Sequence, residues 1–190
     1  MKELQSPQQY QGPLDIKAIA FLGNPGTEYA ATRHNAGWMF GHSLQWTELG
    51  PWQKKFKALY SSGVLEGQKI YLLYPQTYMN LSGESVRSFS DYFHLLAQDW
   101  LVVHDDIELE FGQVQLQKGG GLGGHNGLRS IVAHLGTKDF FRLRLGIGRP
   151  RQGDVASFVL GRFTSQELVS WPEILKRAFE IILASWRQTP

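Results

Sequence analysis

The chain has 190 residues, of which 42% are hydrophobic and 19% charged, and its formal net charge is +2. This is the composition of a globular protein of about one domain, which excludes a disordered or fibrous chain and a basic nucleic-acid-binding tail as descriptions of the whole. Cysteine is absent, which excludes disulfide scaffolds, thiolate metal sites and cysteine nucleophiles and favours a reducing cytoplasm. No apolar run approaches the roughly 18 residues that cross a bilayer, so we expect no membrane anchor.

The N-terminal segment over residues 1–14 is rich in Gln and Pro and lacks the apolar stretch of a secretory or transit signal. We expect these residues to form a flexible N-terminal tail. The remaining residues, 15–190, are expected to form one domain, because their number fits a single domain and no internal repeat divides them.

In the first half of the chain, apolar runs bounded by turn residues predict strands. Residues 16–22 form such a run and end at a Gly-Asn-Pro-Gly turn. Residues 57–65 and 69–74 flank Glu66-Gly67, which is the pattern of a β-hairpin. Residues 34–49 mix small and apolar side chains at a spacing that favours a helix.

The second half of the chain continues this alternation. Apolar spacing predicts helices over residues 82–93 and 126–135, and Thr164-Ser165-Gln166-Glu167 has the capping-box spacing that opens a long C-terminal helix. Further strands are predicted over residues 100–103, 114–118 and 141–147. Strands that alternate with helices indicate an α/β fold, here a single domain with a twisted mixed β-sheet flanked by helices.

Polar residues follow several of the predicted strands. Asn24 and Asp105 come directly after strands, and a Gly-rich loop begins after Lys118. In α/β sheets the carboxyl ends of the strands face a common crevice in which ligands bind. We therefore expect the functional site in this crevice.

The Gly-rich loop leaves one further enzyme class open. Gly119, Gly121 and Gly124 satisfy G-x-G-x-x-G between a predicted strand and a predicted helix, which is typical of dinucleotide binding. No acidic residue ends the next strand, but Arg149 could accept a 2′-phosphate, so an NADP-dependent oxidoreductase remains an alternative. The P-loop, H-E-x-x-H and G-x-S-x-G motifs are absent, and we expect no metal site.

An imidazole, a carboxylate and several amides remain as chemistry-bearing residues. If His34 and Asp105 reach one crevice, the carboxylate can hold one ring nitrogen and leave the other free to take a proton from water. Asn24, Asn80 and Asn126 would supply amide donors for an oxyanion. Each residue also has a purely structural interpretation, as a satisfied histidine, a helix cap or a turn residue. Together they indicate a hydrolase that uses neither a covalent nucleophile nor a metal.

The chain resembles the bacterial-type peptidyl-tRNA hydrolases in five segments that run in the family's order across residues 21–150. The segments are FLGNPGTEYAATRHNAGWMF, PQTYMNLSG, VVHDDIEL, GGGLGGHNGLRSI and FRLRLGIGRP. The combination of GNPG and RHN with MNLSG, HD and GHNGL is far more specific than any one of these motifs.

The resemblance implies a cytoplasmic, monomeric enzyme without metal or cofactor that cleaves the ester between a peptide and the 3′-terminal ribose of tRNA. Its partner would be tRNA carrying a peptide, with no membrane and no obligate protein partner. By the same resemblance, His34 would be the catalytic base, Asp105 would orient it, and Asn24 would act beside them. The implied substrate-binding residues are Tyr29, Met79, Asn80 and Asn126.

The resemblance also implies contacts to tRNA phosphates, which basic side chains usually make. The candidates are Arg144, Lys118 and Arg142. Relatives usually carry Lys two residues before the Gly run, where this chain has Gln117, and Lys118 belongs to the opposite face of its strand. We therefore expect Arg144 to carry most of the contact and tRNA binding to be weaker. An RNA-binding accessory protein of the same fold is a third hypothesis, against which the intact His34 and Asp105 argue.

Overall fold

The computed structural model describes residues 9–186, which form a mixed β-sheet of seven strands. The strands are β1 (Ala18–Phe21), β2 (Gln53–Lys55), β3 (Ala58–Leu65), β4 (Gln68–Pro75), β5 (Trp100–Asp106), β6 (Val114–Lys118) and β7 (Phe141–Gly146). They lie in the order β2-β3-β4-β1-β5-β7-β6. The four neighbours β4, β1, β5 and β7 are parallel, and the other pairs are antiparallel.

Helices cover both faces of this sheet. They are α1 (Ala36–Ser43), α2 (Ser82–Phe93), α3 (Asn126–Leu135), α4 (Val155–Leu160) and α5 (Ser165–Trp186). Because side chains alternate along a strand, Val103 of β5 joins the apolar layer that contains Phe40 of α1, while Val102 joins the layer that contains Phe89 of α2. This arrangement confirms the predicted single α/β domain. None of the helices in the described part of the chain is long and apolar enough to cross a membrane.

Local sequence signals placed several elements correctly. Helix α2 has the predicted bounds. The hairpin turn between β3 and β4 lies at the predicted residues, Glu66 with a φ of 47° and Gly67 with a φ of 80°. The predicted capping box is also present, because Thr164 N–H donates to Glu167 Oε2 at 2.6 Å and Glu167 N–H donates to Thr164 Oγ1 at 3.2 Å.

Two predicted boundaries were wrong. The helix predicted over residues 34–49 ends at Ser43, because Leu44 is extended and the chain then turns so that Val64 N–H donates to Thr47 O. The strand predicted over residues 100–103 continues to Asp106, since its polar end still pairs with β7. Asp105 therefore lies within a central strand.

The Gly-rich loop does not begin at the predicted end of the sheet. Strand β6 runs antiparallel to β7, so Lys118 pairs with Phe141 at the start of β7, whereas Asp105 pairs with Leu145 near its end. The loop over residues 119–125 then returns across the sheet to reach Asp105. An antiparallel pair also lacks the βαβ connection that a dinucleotide fingerprint requires, so the NADP alternative is wrong.

The segment before β1 packs against the domain. Tyr10 N–H donates to Leu116 O on the outer edge of β6 at 2.7 Å, and its ring packs edge-to-face on Phe141 at a centroid distance of 5.2 Å. Leu14 has no exposed surface, and its N–H donates to Ser185 O of α5. Tyr10 and Leu14 of the expected tail thus pack into the core, while residues 1–8 lie outside the described residues.

Truncation of Leu14 to alanine should lower the free energy of unfolding by about 2–5 kcal/mol, because it removes a fully buried side chain from between the sheet and α5. Urea denaturation followed by circular dichroism measures this change. The exposed Gln11 provides the matched control, and Gln11→Ala should leave the urea midpoint unchanged. Equal stability of the two variants would show that the segment does not contribute to the fold in solution.

Candidate active site

His34 and Asp105 lie in direct contact. His34 belongs to the 3-10 turn Arg33–Asn35 that leads into α1, and Asp105 is near the end of β5. His34 Nδ1 lies 2.9 Å and 3.0 Å from the two Asp105 carboxylate oxygens, and both residues are buried. A carboxylate only accepts hydrogen bonds, so Nδ1 carries the proton and Nε2 has a free lone pair.

His125 is a second donor to the same carboxylate, and the sequence analysis did not assign it a role. Its Nε2 lies 3.0 Å from Asp105 Oδ1. Its Nδ1 accepts from the backbone N–H groups of Gly127 and Leu128, where it caps helix α3. Because Nδ1 accepts, the proton of the neutral ring must be on Nε2. Asp105 is therefore held by two imidazole N–H groups, one from each side.

These three side chains also have the spacing of a metal site. One ligand atom each from His34, Asp105 and His125 lie within 4.8 Å of one another. A metal ligand must present a lone pair, but the cap on α3 fixes the proton of His125 on the nitrogen that faces Asp105. The donor set therefore fits a hydrogen-bonded triad and does not fit a cation.

The triad shifts the pKa values of its members. Burial disfavours the charged form of His34, but the charge and hydrogen bond of Asp105 outweigh this effect, so the pKa of His34 is raised above its ordinary 6.5. Burial likewise disfavours the Asp105 carboxylate, but the two imidazoles dominate and hold its pKa far below 3.8. Asp105 is therefore ionised at neutral pH.

A third histidine next to the triad stays neutral. His104 is 1% exposed, and burial, followed by the neighbouring His125, lowers its pKa to about 3. Its Nδ1–H donates to the Asp105 carbonyl oxygen at 2.7 Å, which fixes the tautomer. His104 thus supports the backbone beneath the triad.

The loop after β1 is fixed by paired amides. The Asn35 side chain accepts from Asn24 N–H at 2.8 Å and donates to Asn24 O at 3.0 Å. The Asn24 side chain in turn accepts from Met79 N–H through Oδ1 at 2.7 Å. With Oδ1 engaged, the Asn24 Nδ2 group has no partner within residues 9–186. It remains as an oriented donor on a residue that is held by Asn35, the neighbour of His34 in the chain.

The other predicted substrate-binding residues differ in how deeply they are buried. Met79 is buried with its sulfur against α3, where a Cβ on Gly127 would come within 2.6 Å of Sδ, so a larger residue at position 127 would displace the Met79 side chain. Asn80 and Asn126 are exposed, whereas Tyr29 is half-buried, with its ring 6.3 Å from that of Tyr78.

A cavity of about 240 Å³ lies over the His34–Asp105 pair. Of the predicted site residues, it is lined by His34, Asp105 and Asn126, and the remaining wall is largely apolar. Helix α4, which was not predicted, contributes Val155 and Val159 to that wall. His34 therefore faces a partly apolar space, in which electrostatic interactions are stronger than in water.

The predicted phosphate-binding arginines are buried beneath the Gly-rich loop. Arg142 donates through its two terminal nitrogens to Gly121 O and Gly119 O, so it supports the loop, while its buried Nε has no partner among the residues described. Arg144 donates to Asp106 at 2.8 Å and to Gln117 at 2.9 Å, which leaves Nη2 as its one guanidinium nitrogen without a partner among the residues described.

Lys118 lies on the opposite face of β6 from Gln117, as the strand alternation predicted. Its ammonium group is 3.4 Å from the Asp139 carboxylate and 5.2 Å from the centre of the Phe141 ring, and its side chain is 38% exposed. Lys118 therefore keeps a charge that a ligand can reach, whereas only Nη2 of Arg144 is left to donate to a ligand.

Comparison with known proteins identifies the group to which this arrangement belongs. The family model for peptidyl-tRNA hydrolase matches residues 18–189. The chain belongs to the peptidyl-tRNA hydrolase family. It is 45% identical to the peptidyl-tRNA hydrolases of Bacillus cytotoxicus, over 86% of this chain and 89% of the relative, and of Desulfitobacterium hafniense, over 88% and 91%. The crystal structure of the Acinetobacter baumannii family member is 38% identical, superposes with a TM-score of 0.80 and covers 94% of this chain and 96% of that one.

Sequence reasoning missed His125, Asn35 and the α4 wall. His125 and Asn35 belong to the motifs GHNG and RHN, where each is next to a residue that was predicted to act in the site. This adjacency was the only sequence signal that could have assigned them to the site. Their partners are 20 and 11 residues away, so the hydrogen bonds could not be read from local spacing.

The rate of any reaction that uses neutral His34 should increase with pH, with a midpoint above 6.5, because the proton leaves the imidazole at its raised pKa. In Asp105→Asn the midpoint should fall below 6.5, because burial then disfavours the charged imidazole and no carboxylate charge offsets this effect. NMR titration of the His34 ring and the pH profile of kcat/KM measure this shift. His94→Ala is the control, and an unchanged midpoint in Asp105→Asn would contradict the assignment.

Proposed function

We propose that this protein hydrolyses the ester bond between the peptide and the 3′-terminal ribose of peptidyl-tRNA, with His34 as the general base. One observation carries the proposal. The buried His34 imidazole has Nδ1 fixed by a carboxylate, and its Nε2 has no partner among residues 9–186 and lies beside a cavity, which is the arrangement needed to activate water. Family membership supports the substrate class. A protein that only binds RNA has no need of a buried base with a fixed tautomer, so the accessory-protein alternative is disfavoured.

In the proposed reaction, His34 Nε2 takes a proton from water as the water oxygen attacks the ester carbonyl carbon. The carbonyl oxygen becomes an oxyanion, and the Asn24 amide Nδ2 is the donor proposed to stabilise it. When the intermediate collapses, the bond between the carbonyl carbon and the ribose oxygen breaks. The His34 proton passes to that ribose oxygen, which restores the neutral base and releases the peptide acid and tRNA.

Asp105 acts through His34 in this proposal. Its negative charge stabilises the imidazolium that forms during attack, and its hydrogen bond keeps Nε2 directed away from the carboxylate. His125 restrains the same carboxylate from the other side. Met79, Tyr29, Asn80 and Asn126 are proposed to bind the peptide and the ester group around this centre.

For the tRNA backbone we propose contacts from Lys118 and from the free edge of Arg144. Lys118 has the more accessible charge, and Arg144 is largely neutralised by Asp106. Phosphate contacts position a nucleic acid without reading its sequence, which suits an enzyme that acts on many tRNAs. Replacement of the family's usual Lys by Gln117, which accepts from Arg144, further reduces the positive charge here.

The purified protein should release the acid from N-acetylaminoacyl-tRNA faster than from unblocked aminoacyl-tRNA. His34→Ala should lower kcat by at least about 10²-fold, because general-base catalysis contributes typically 10²–10⁴. Binding of tRNA, measured by filter retention, should survive. The exposed His42 offers the control His42→Ala, which should retain activity. An active His34→Ala enzyme would falsify the assignment of the base.

Lys118→Gln should weaken tRNA binding and lower the slope of log K against log salt by about one, as expected for the loss of one phosphate contact. The value of kcat at saturating substrate should not change, because Lys118 lies outside the catalytic triad. Lys69→Gln, an exposed lysine at the start of β4, is the matched control. The same salt slope in Lys118→Gln and wild type would remove Lys118 from the proposed interface.

A further inference from the structure

Arg33 precedes the proposed base in the chain, yet its side chain points away from the triad. The residue is only 8% exposed. Nη1 donates to Arg162 O at 2.7 Å, and Nη2 donates to Glu167 Oε2 at 2.8 Å. The guanidinium carbon lies 4.4 Å from the centre of the Phe158 ring, within cation–π range. Three contacts of different kinds therefore fix the position of one planar group.

All three partners belong to α4 or to the residues that follow it, and α4 forms one wall of the cavity. Phe158 is on α4, Arg162 lies between α4 and α5, and Glu167 caps the start of α5. The backbone joins the same parts, since Arg33 N–H donates to Gly161 O at 2.9 Å. The 3-10 turn that carries His34 is thus attached to α4 and α5 through Arg33.

The Arg33 side chain supplies the side-chain contacts between α4 and the turn that carries His34, and the Thr32–Arg162 backbone bridge lies beside them. Helix α4 has six residues, and it is linked to β7 through an exposed loop in which Gly148 and Gly153 adopt φ values of 72° and 88°. Its buried contribution to the cavity is Val159, with Val155 at the rim. His34 itself is held from β5 by Asp105, which does not involve α4. The base and the opposite wall are therefore positioned by separate contacts.

We propose that Arg33 is a positioning residue that sets the distance between the α4 wall and His34, and that it thereby determines how tightly the ester-linked end of the peptide is held. The inference rests on the proposed function. A planar guanidinium can donate to a carbonyl and a carboxylate while its face packs on an aromatic ring, whereas an ammonium cannot make all three contacts in this geometry. Lysine at this position would keep the charge next to Glu167 and lose the other two contacts.

The alternative is that Arg33 serves only as a buried structural ion pair. In that case, its replacement lowers stability, and the kinetics of the remaining folded enzyme do not change. Under the proposal, Arg33→Lys raises KM while kcat and the pH midpoint of the reaction stay at the wild-type values. The two explanations therefore predict different KM values for Arg33→Lys at a temperature at which the variant is folded.

The test measures kcat, KM and their pH dependence with N-acetylaminoacyl-tRNA for wild type, Arg33→Lys and Phe158→Leu, at a temperature at which all are folded. For both variants we expect KM to rise about three- to tenfold, the range that loss of coupling between contacting residues produces. The increases in KM of the two single variants should not add in the double variant, because both substitutions remove the contact between Arg33 and Phe158. Ile70→Val, in the core of β4 and far from the site, controls for a loss of stability alone.

A wild-type KM in Arg33→Lys, or a rise in KM no larger than that of Ile70→Val, would overturn the role of Arg33. Additive effects in the double variant would also contradict it, as would a shifted pH midpoint, which would place Arg33 in the titration of His34. If wild type itself fails to hydrolyse the substrate, the proposed function fails. That outcome is distinct from an active wild type whose KM does not depend on Arg33.

Discussion

The structure is organised around one buried carboxylate that must be shared between two imidazoles. Asp105 accepts N–H groups from His34 and His125, and each ring arrives on a different element. A buried charge is tolerated only when it is paired and hydrogen-bonded, so β5, the turn before α1 and the loop before α3 must meet at one point. This requirement fixes the tautomers of both rings and leaves His34 Nε2 without a partner in the described part of the chain.

The path of the Gly-rich loop follows from the same requirement. The loop starts at the end of the sheet away from Asp105, and β7 lies between β6 and β5, so the loop must pass β7 to deliver His125. The Arg142 side chain donates to carbonyl oxygens of this loop, and Arg144 forms an ion pair with Asp106 beneath the loop. Both guanidiniums are thus mostly engaged in supporting the surroundings of the Asp105 carboxylate, whereas Lys118 keeps a more accessible charge.

Local patterns predicted what local physics determines. The bounds of α2, the Glu66-Gly67 turn and the Thr164 capping box depend on residues within a few positions of one another, and all were confirmed. The His34–Asp105 contact spans 71 residues and was expected from strand ends and from the family resemblance. The direction of β6, the second donor His125 and the wall at α4 depend on how distant segments pack, and sequence spacing contains no signal for that.

The packing of residues 10–14 has a consequence for the behaviour of the folded chain in concentrated solution. An open sheet has two outer strands whose unpaired backbone groups can recruit another chain and start aggregation. Here Tyr10 occupies part of the outer side of β6. The strand at the other border, β2, is three residues long and carries Lys54 and Lys55, and short, lysine-bearing strands discourage such recruitment. Both borders of the sheet are therefore protected against intermolecular strand pairing.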